Sequence, residues 1–167
     1  LDTYLTVHEN VMDQFRCSDF VGDDTLSVDD FSQAGFYVMQ GEIACLGNIV
    51  ITVYKIIDIV ASGDVPIVRT SRYSYNVRVM GQHNVFRYDN WHAHEGHPDE
   101  HHKDLFDFTT GDRTDSKWVG EGGWPTLGEV IEETRAWWSD NRHKLACPDC
   151  YPQPTDLRSS IRGASAP

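Results

Sequence analysis

Apolar and polar residues alternate most clearly in the middle of the chain. From Phe36 to Cys45, and again from Ile49 to Val60, the sequence is rich in Val, Ile and Tyr. Leu46-Gly47-Asn48 between them has turn-forming residue types, so the pair predicts a β-hairpin. The stretch from Ile67 to Met80 sets Tyr73, Tyr75, Val77 and Val79 on one side and Arg72, Ser74, Asn76 and Arg78 on the other. That period of two predicts a strand with one core face and one polar face. Gly81-Gln82-His83-Asn84 reads as a turn into a short strand, Val85 to Asp89. A register that sets Val79 against Phe86 and Val77 against Tyr88 keeps the apolar residues together, because a one-residue slip would bury charge. It also sets Arg78 against Arg87 and Asn76 against Asp89. Two arginines directly across a sheet repel each other, which points to an anion held between them or to side chains splayed into solvent.

Helical spacing is strongest near the C-terminus. Thr126-Leu127-Gly128-Glu129 fits a capping box, and Leu127, Val130, Ile131, Thr134 and Trp137 or Trp138 follow at helical intervals. A helix over about 126–142 is expected, with its apolar stripe on the sheet. Leu5, Val11, Met12 and Phe15 suggest a short first helix. Residues 17–35 hold Asp19, Gly22, Asp23, Asp24, Asp29, Asp30 and Gly35 and read as loop and hairpin edge. The expected fold class is α+β, a curved antiparallel sheet of about four to six strands packed against the C-terminal helix. Strands joined by short turns leave no helix to make a parallel crossover. One domain over residues 1–146 is expected, followed by a Cys-containing flexible tail over 147–167.

Composition adds a charge question. Fourteen Lys and Arg stand against 26 Asp and Glu in 167 residues, a net charge of −12. The acids are mostly Asp, while Lys55, Lys103, Lys117 and Lys144 are the only lysines. This balance resembles that of proteins from salt-loving organisms, in which dense carboxylates keep the surface hydrated; an ordinary acidic cytosolic protein is the alternative. Net acidity disfavours nucleic acid as a partner, but in molar salt the Debye length is about 3 Å and a local Arg and His cluster can still hold phosphate. The longest apolar run, Ile49 to Val60, is broken by Lys55 and Asp58 and is too short to span a bilayer. No basic stretch followed by an apolar segment opens the chain, so a cytoplasmic protein without a membrane partner is expected. Four cysteines do not make a disulfide framework in that compartment. Cys147-Pro-Asp-Cys150 reads as a reduced surface pair of thiols or, less simply, as half of a zinc site.

Chemistry concentrates in Trp91 to Asp104, where five of the eight histidines fall within eleven residues. Neutral imidazoles with a carboxylate would suit a metal such as zinc, with His92 and His94 as two ligands and His97 or His101 as the third. Acid and base catalysis would instead pair a neutral with a protonated imidazole, while Lys103, Arg78 and Arg87 hold a phosphate. Exposed histidines with no task remain the plain alternative.

Taken in order, Tyr73-Ser74-Tyr75, Phe86-Arg87-Tyr88-Asp89-Asn90, His97-Pro98-Asp99-Glu100-His101-His102-Lys103-Asp104 and Pro125-Thr126-Leu127-Gly128-Glu129-Val130-Ile131 resemble the motif series of the TumE family of toxin-antitoxin toxins. The resemblance covers about residues 36–140. It departs at Asp104, where the family has a final loop histidine, and at the insertion from Asp107 to Gly123. It implies a growth-inhibiting toxin restrained by a cognate helix-turn-helix antitoxin; RNA is the expected substrate because many toxins of this size act on it, and the residues here suit cleavage without a metal cofactor. In that scheme His101 or His102 takes the ribose 2′-hydroxyl proton and the other protonates the leaving oxygen. Arg78, Arg87 and Lys103 stabilise the phosphoryl charge, with Asp89 in the substrate site. Adjacent residues of an extended segment point to opposite sides, so His97 or Tyr75 is the expected partner if only one of the pair reaches. The competing readings are a non-catalytic module that binds a metal or a protein, and a metal-dependent nuclease or phosphohydrolase.

Overall fold

The computed structural model describes residues 1–62, 65–92 and 100–157. Helix α1 (Asp2–Cys17) leads into strands β1 (Val21–Asp24) and β2 (Ser27–Phe31). Strands β3 (Phe36–Cys45), β4 (Ile49–Ser62), β5 (Val65–Val79), β6 (Asn84–Asp89), β7 (His102–Phe106) and β8 (Arg113–Trp118) follow, and helix α2 (Leu127–Asn141) comes last. The expected α+β class is observed. Every pairing is antiparallel, in the order β1-β3-β4-β5-β6-β7-β8, with β2 also on β3.

The eight strands of the described residues exceed the expected four to six because β1, β2 and β8 carry no strong alternation. β1 and β2 lie end to end along the outer edge of β3, with Thr25-Leu26 between them. Gly41 lets the backbone of those two residues pass close to β3. A Cβ there would lie 2.5 Å from the Thr25 carbonyl oxygen, and its φ of +145° disfavours any other residue. β8 falls inside the segment read as an insertion, and its Lys117 stands opposite Lys103 of β7. Its residues Arg113 to Lys117 are all exposed, the composition of an edge strand that faces water on both sides.

The β3–β4 hairpin forms around Gly47 and Asn48, whose φ values are +82° and +59°. The β5–β6 hairpin corrects the expected register. Val77 stands against Phe86, Tyr75 against Tyr88 and Ser74 against Asp89, while Arg78 pairs with Asn84 across a bulge. The shift is two residues, so every side chain keeps its face, but Arg87 now stands against Asn76 and away from Arg78. A looser turn causes it: Gln82 N–H donates to the Val79 carbonyl at 3.0 Å and Val79 N–H to the His83 carbonyl at 3.2 Å.

Both helices pack on one face of the sheet. α1 contributes Met12 and Phe15, and α2 contributes Leu127, Val130, Ile131 and Thr134, to a core that includes Ile43, Ile51, Tyr73, Val77 and Phe86. The capping box at Thr126 and Glu129 forms as expected and fixes where α2 starts. Part of the segment expected as a flexible tail is docked. Asn48 N–H donates to the Cys150 carbonyl at 2.8 Å, Trp138 Nε1 donates to the Pro148 carbonyl at 2.8 Å, and Leu157 is buried with Ala44 and Val50. Cys147 and Cys150 are joined in a disulfide, which removes the thiolates that a zinc ion would need. None of the helices among the described residues is long and apolar enough to cross a membrane.

Candidate functional site

Strand alternation divides the expected site residues between the two faces of the sheet. Across β3 to β8 the register aligns Glu42, Thr52, Asn76, Arg87, Asp104 and Ser116 in one row on the polar face. The adjacent row is Gln40, Tyr54, Ser74, Asp89, His102 and Trp118. His101, Lys103 and Tyr75 belong to the opposite, helix-covered face. The expected grouping of His101, His102 and Lys103 therefore does not assemble, for the reason that adjacent residues of a strand diverge.

What does assemble is Arg87, Asp89, His102 and Asp104. The Arg87 guanidinium lies 2.9 Å from Asp89 through Nε and donates through Nη2 to Asp104 at 2.7 Å. The Nε contact is a charge pair without hydrogen-bond alignment, so this buried N–H has no acceptor. His102 Nε2 lies 3.6 Å from Asp89 Oδ1 and 3.8 Å from Asp104 Oδ2. Its Nδ1 is 3.1 Å from the Glu100 carbonyl. A carbonyl can only accept, so Nδ1 carries a hydrogen and Nε2 is the nitrogen turned toward the carboxylates. Trp118 flanks the ring, with centroids 5.5 Å apart.

Asp104 stands where the resemblance expected a histidine, and it organises the cluster. It is 1% exposed and accepts from Arg87 and from the Ser116 hydroxyl. Burial alone would raise its carboxyl, but the Ser116 hydrogen bond, Arg87 and His102 together outweigh burial and hold it below the ordinary value. Asp89 is equally enclosed and also accepts from the Trp91 N–H at 3.3 Å. The neighbouring Asn90 closes the end of the β5–β6 pairing, accepting from Tyr73 N–H at 2.8 Å and donating to the Ser71 carbonyl at 2.9 Å. The Arg-Tyr-Asp-Asn segment is thus a strand end whose last two side chains hold buried polar groups.

Arg78 lies on the same face but apart, paired with the buried Glu42 at 3.3 Å. Sequence reasoning missed Glu42, although a lone acid inside an otherwise uncharged strand was a usable signal. On the helix face, Lys103 is engaged by Glu133 and lies 4.9 Å and 5.0 Å from the Phe86 and Tyr88 ring centroids. His101 Nδ1 is 3.1 Å from the Tyr73 hydroxyl, and its ring stacks on Tyr73. Tyr75 is 2% exposed, and burial pushes its hydroxyl well above the ordinary value. His94 and His97 lie outside the described residues; His92 is exposed just beyond the end of β6.

Fold and site together define an α+β protein with a continuous antiparallel sheet, one face apolar and helix-covered, the other carrying an ionised row. Comparison with protein-family models, curated proteins and solved structures finds no match to this chain.

Proposed function

We propose that this chain is a cytoplasmic TumE-like toxin that cleaves RNA without a metal, with His102 as its proton-transfer group. The observation that carries this reading is the collection of Arg87, Asp89, His102 and Asp104 on one face of the sheet. His102 Nε2 takes the proton of a ribose 2′-hydroxyl as that oxygen attacks the adjacent phosphorus. The bond from phosphorus to the 5′ oxygen breaks, leaving a 2′,3′-cyclic phosphate and a 5′-hydroxyl. Arg87 and Arg78 offset the charge that builds on the phosphoryl oxygens. His97, and not His101, supplies the leaving-group proton. A helix-turn-helix antitoxin restrains the activity.

The test is expression of the chain and assay on a short RNA. His102→Ala should lose at least about 100-fold in rate. His102→Asn, whose amide nitrogen takes the place of Nδ1 and can still donate toward the Glu100 carbonyl, should fold and be equally inactive. Growth arrest by a folded His102→Asn chain would overturn the assignment.

A second reading is favoured by one observation: arginines of this face already have carboxylate partners, Arg78 with Glu42, Arg87 with Asp89 and Asp104, and Arg72 with Glu100 at 2.8 Å. Under that reading the face binds a protein without catalysis, and the native chain leaves the RNA intact.

The acid surplus is read as adaptation to high salt. Unfolding in dilute buffer should then occur at a much lower temperature than in molar potassium chloride, because unscreened carboxylates repel. Equal melting temperatures would remove that reading.

A further inference from the structure

A cleft of about 750 Å³ opens between α1, the start of β5 and the segment that leads into α2. Its size is that of small-molecule sites. The rim is apolar, with Val7 59% exposed and Ile67 50% exposed, two of the four large apolar side chains that face water among the described residues. Trp124 and Leu127 line the wall contributed by the α2 segment.

One charge lies at the floor. Lys55 interrupts the apolar run of β4 and is only 7% exposed. Its Nζ donates to the Tyr4 hydroxyl at 3.1 Å and lies 5.6 Å from the ring centroids of both Tyr4 and Tyr75. The Tyr4 hydroxyl is in turn 3.1 Å from Thr70 Oγ1. Among the described residues no carboxylate lies within ion-pair distance of Lys55. His8 shares the cleft, and burial first and Lys55 second hold its imidazole below the ordinary value, which adds no second cation near neutral pH.

A buried ammonium without a counter-charge is costly to fold, and replacing it with a hydrocarbon would cost nothing in packing. Its position at the base of an apolar cleft gives it a use. An ammonium has three N–H donors; one is taken by Tyr4, which leaves two for the oxygens of a carboxylate. Lys55 is the only Lys or Arg among the lining residues, so a single negative charge is matched and a phosphate dianion is not. We propose that the cleft binds a hydrophobic monocarboxylate of the medium-chain fatty acid class, its carboxylate on Lys55 and its chain along Val7, Ile67, Trp124 and Leu127.

Titration calorimetry with decanoate and with decan-1-ol, which has the same chain without the charge, tests this on the whole chain. Decanoate should bind saturably at one site, about tenfold or more tighter than the alcohol. Lys55→Met removes the charge at similar volume and should fold at least as stably, as circular dichroism would verify. In that variant the preference for decanoate should vanish while the alcohol binds as well or better. Equal affinities in the native chain, absence of saturable decanoate binding, or unchanged decanoate affinity in folded Lys55→Met would each overturn the proposal. None of these outcomes depends on RNA cleavage, which is assigned to the other face of the sheet.

Discussion

The two faces of this sheet are buried to similar extents by different physics. On the helix face Ile43, Ile51, Val77 and Phe86 are 2% exposed or less, and what holds them is apolar area removed from water. On the polar face Glu42, Asp104 and His102 are 2%, 1% and 4% exposed, and what holds them is matching of charges and hydrogen bonds. Apolar contacts are non-directional, so a slightly different neighbour serves almost as well. A buried carboxylate is satisfied only by particular partners at particular places. Asp104 needs Arg87 from β6 and Ser116 from β8, with His102 of its own strand 3.8 Å away. The helix face should therefore respond to substitution in proportion to volume lost, and the polar face according to which partner is left alone.

The largest effect is expected from Phe86→Ala, which empties a site in the middle of the apolar core and should cost about 4 kcal/mol in chemical denaturation. A loss under about 1 kcal/mol would mean that the core repacks freely and the contrast between faces is weaker than drawn. Asp104→Ala should cost about 3 kcal/mol, toward the low end for breaking a buried pair because Arg87 is 39% exposed. This loss should depend on pH. The Asp104 carboxyl is held below its ordinary value in the fold and returns to it on unfolding. Its contribution is thus complete above about pH 4 and disappears as the pH falls through the folded value. The gap between native chain and variant should narrow in acid, whereas the Phe86→Ala gap should not; parallel pH profiles for both would break the comparison. The smallest effect is expected at Lys117→Ala. This side chain is 60% exposed on the edge strand and lies 3.9 Å from an equally open Asp115, so its loss should change stability by less than about 0.5 kcal/mol.

The elements legible in the sequence were those with a local signal. The β3–β4 hairpin showed through its apolar runs and its Gly47-Asn48 turn, and α2 through its stripe and capping box. β8 was not legible, because Arg-Thr-Asp-Ser-Lys carries no period. Of the site residues, the alternation of Arg78, Arg87 and Asp89 onto a polar face could be read directly, and so could the divergence of His101 from His102. The role of Asp104 could not, since at the level of the chain it is simply the place where a histidine was expected.

The sequence by itself determined the class of fold, the face that residues of β5 and β6 take, and the start of α2, because period-two alternation and helix capping act over a few neighbouring residues. Only the tertiary structure decided the register of β6 on β5, the seating of Asp104 between Arg87 and Ser116, and the enclosure of Lys55 by Tyr4 and Tyr75. Those outcomes depend on strand ends, bulges and helix placement contributed by distant parts of the chain, and a two-residue slip that leaves every local pattern intact is enough to change every partner between β5 and β6.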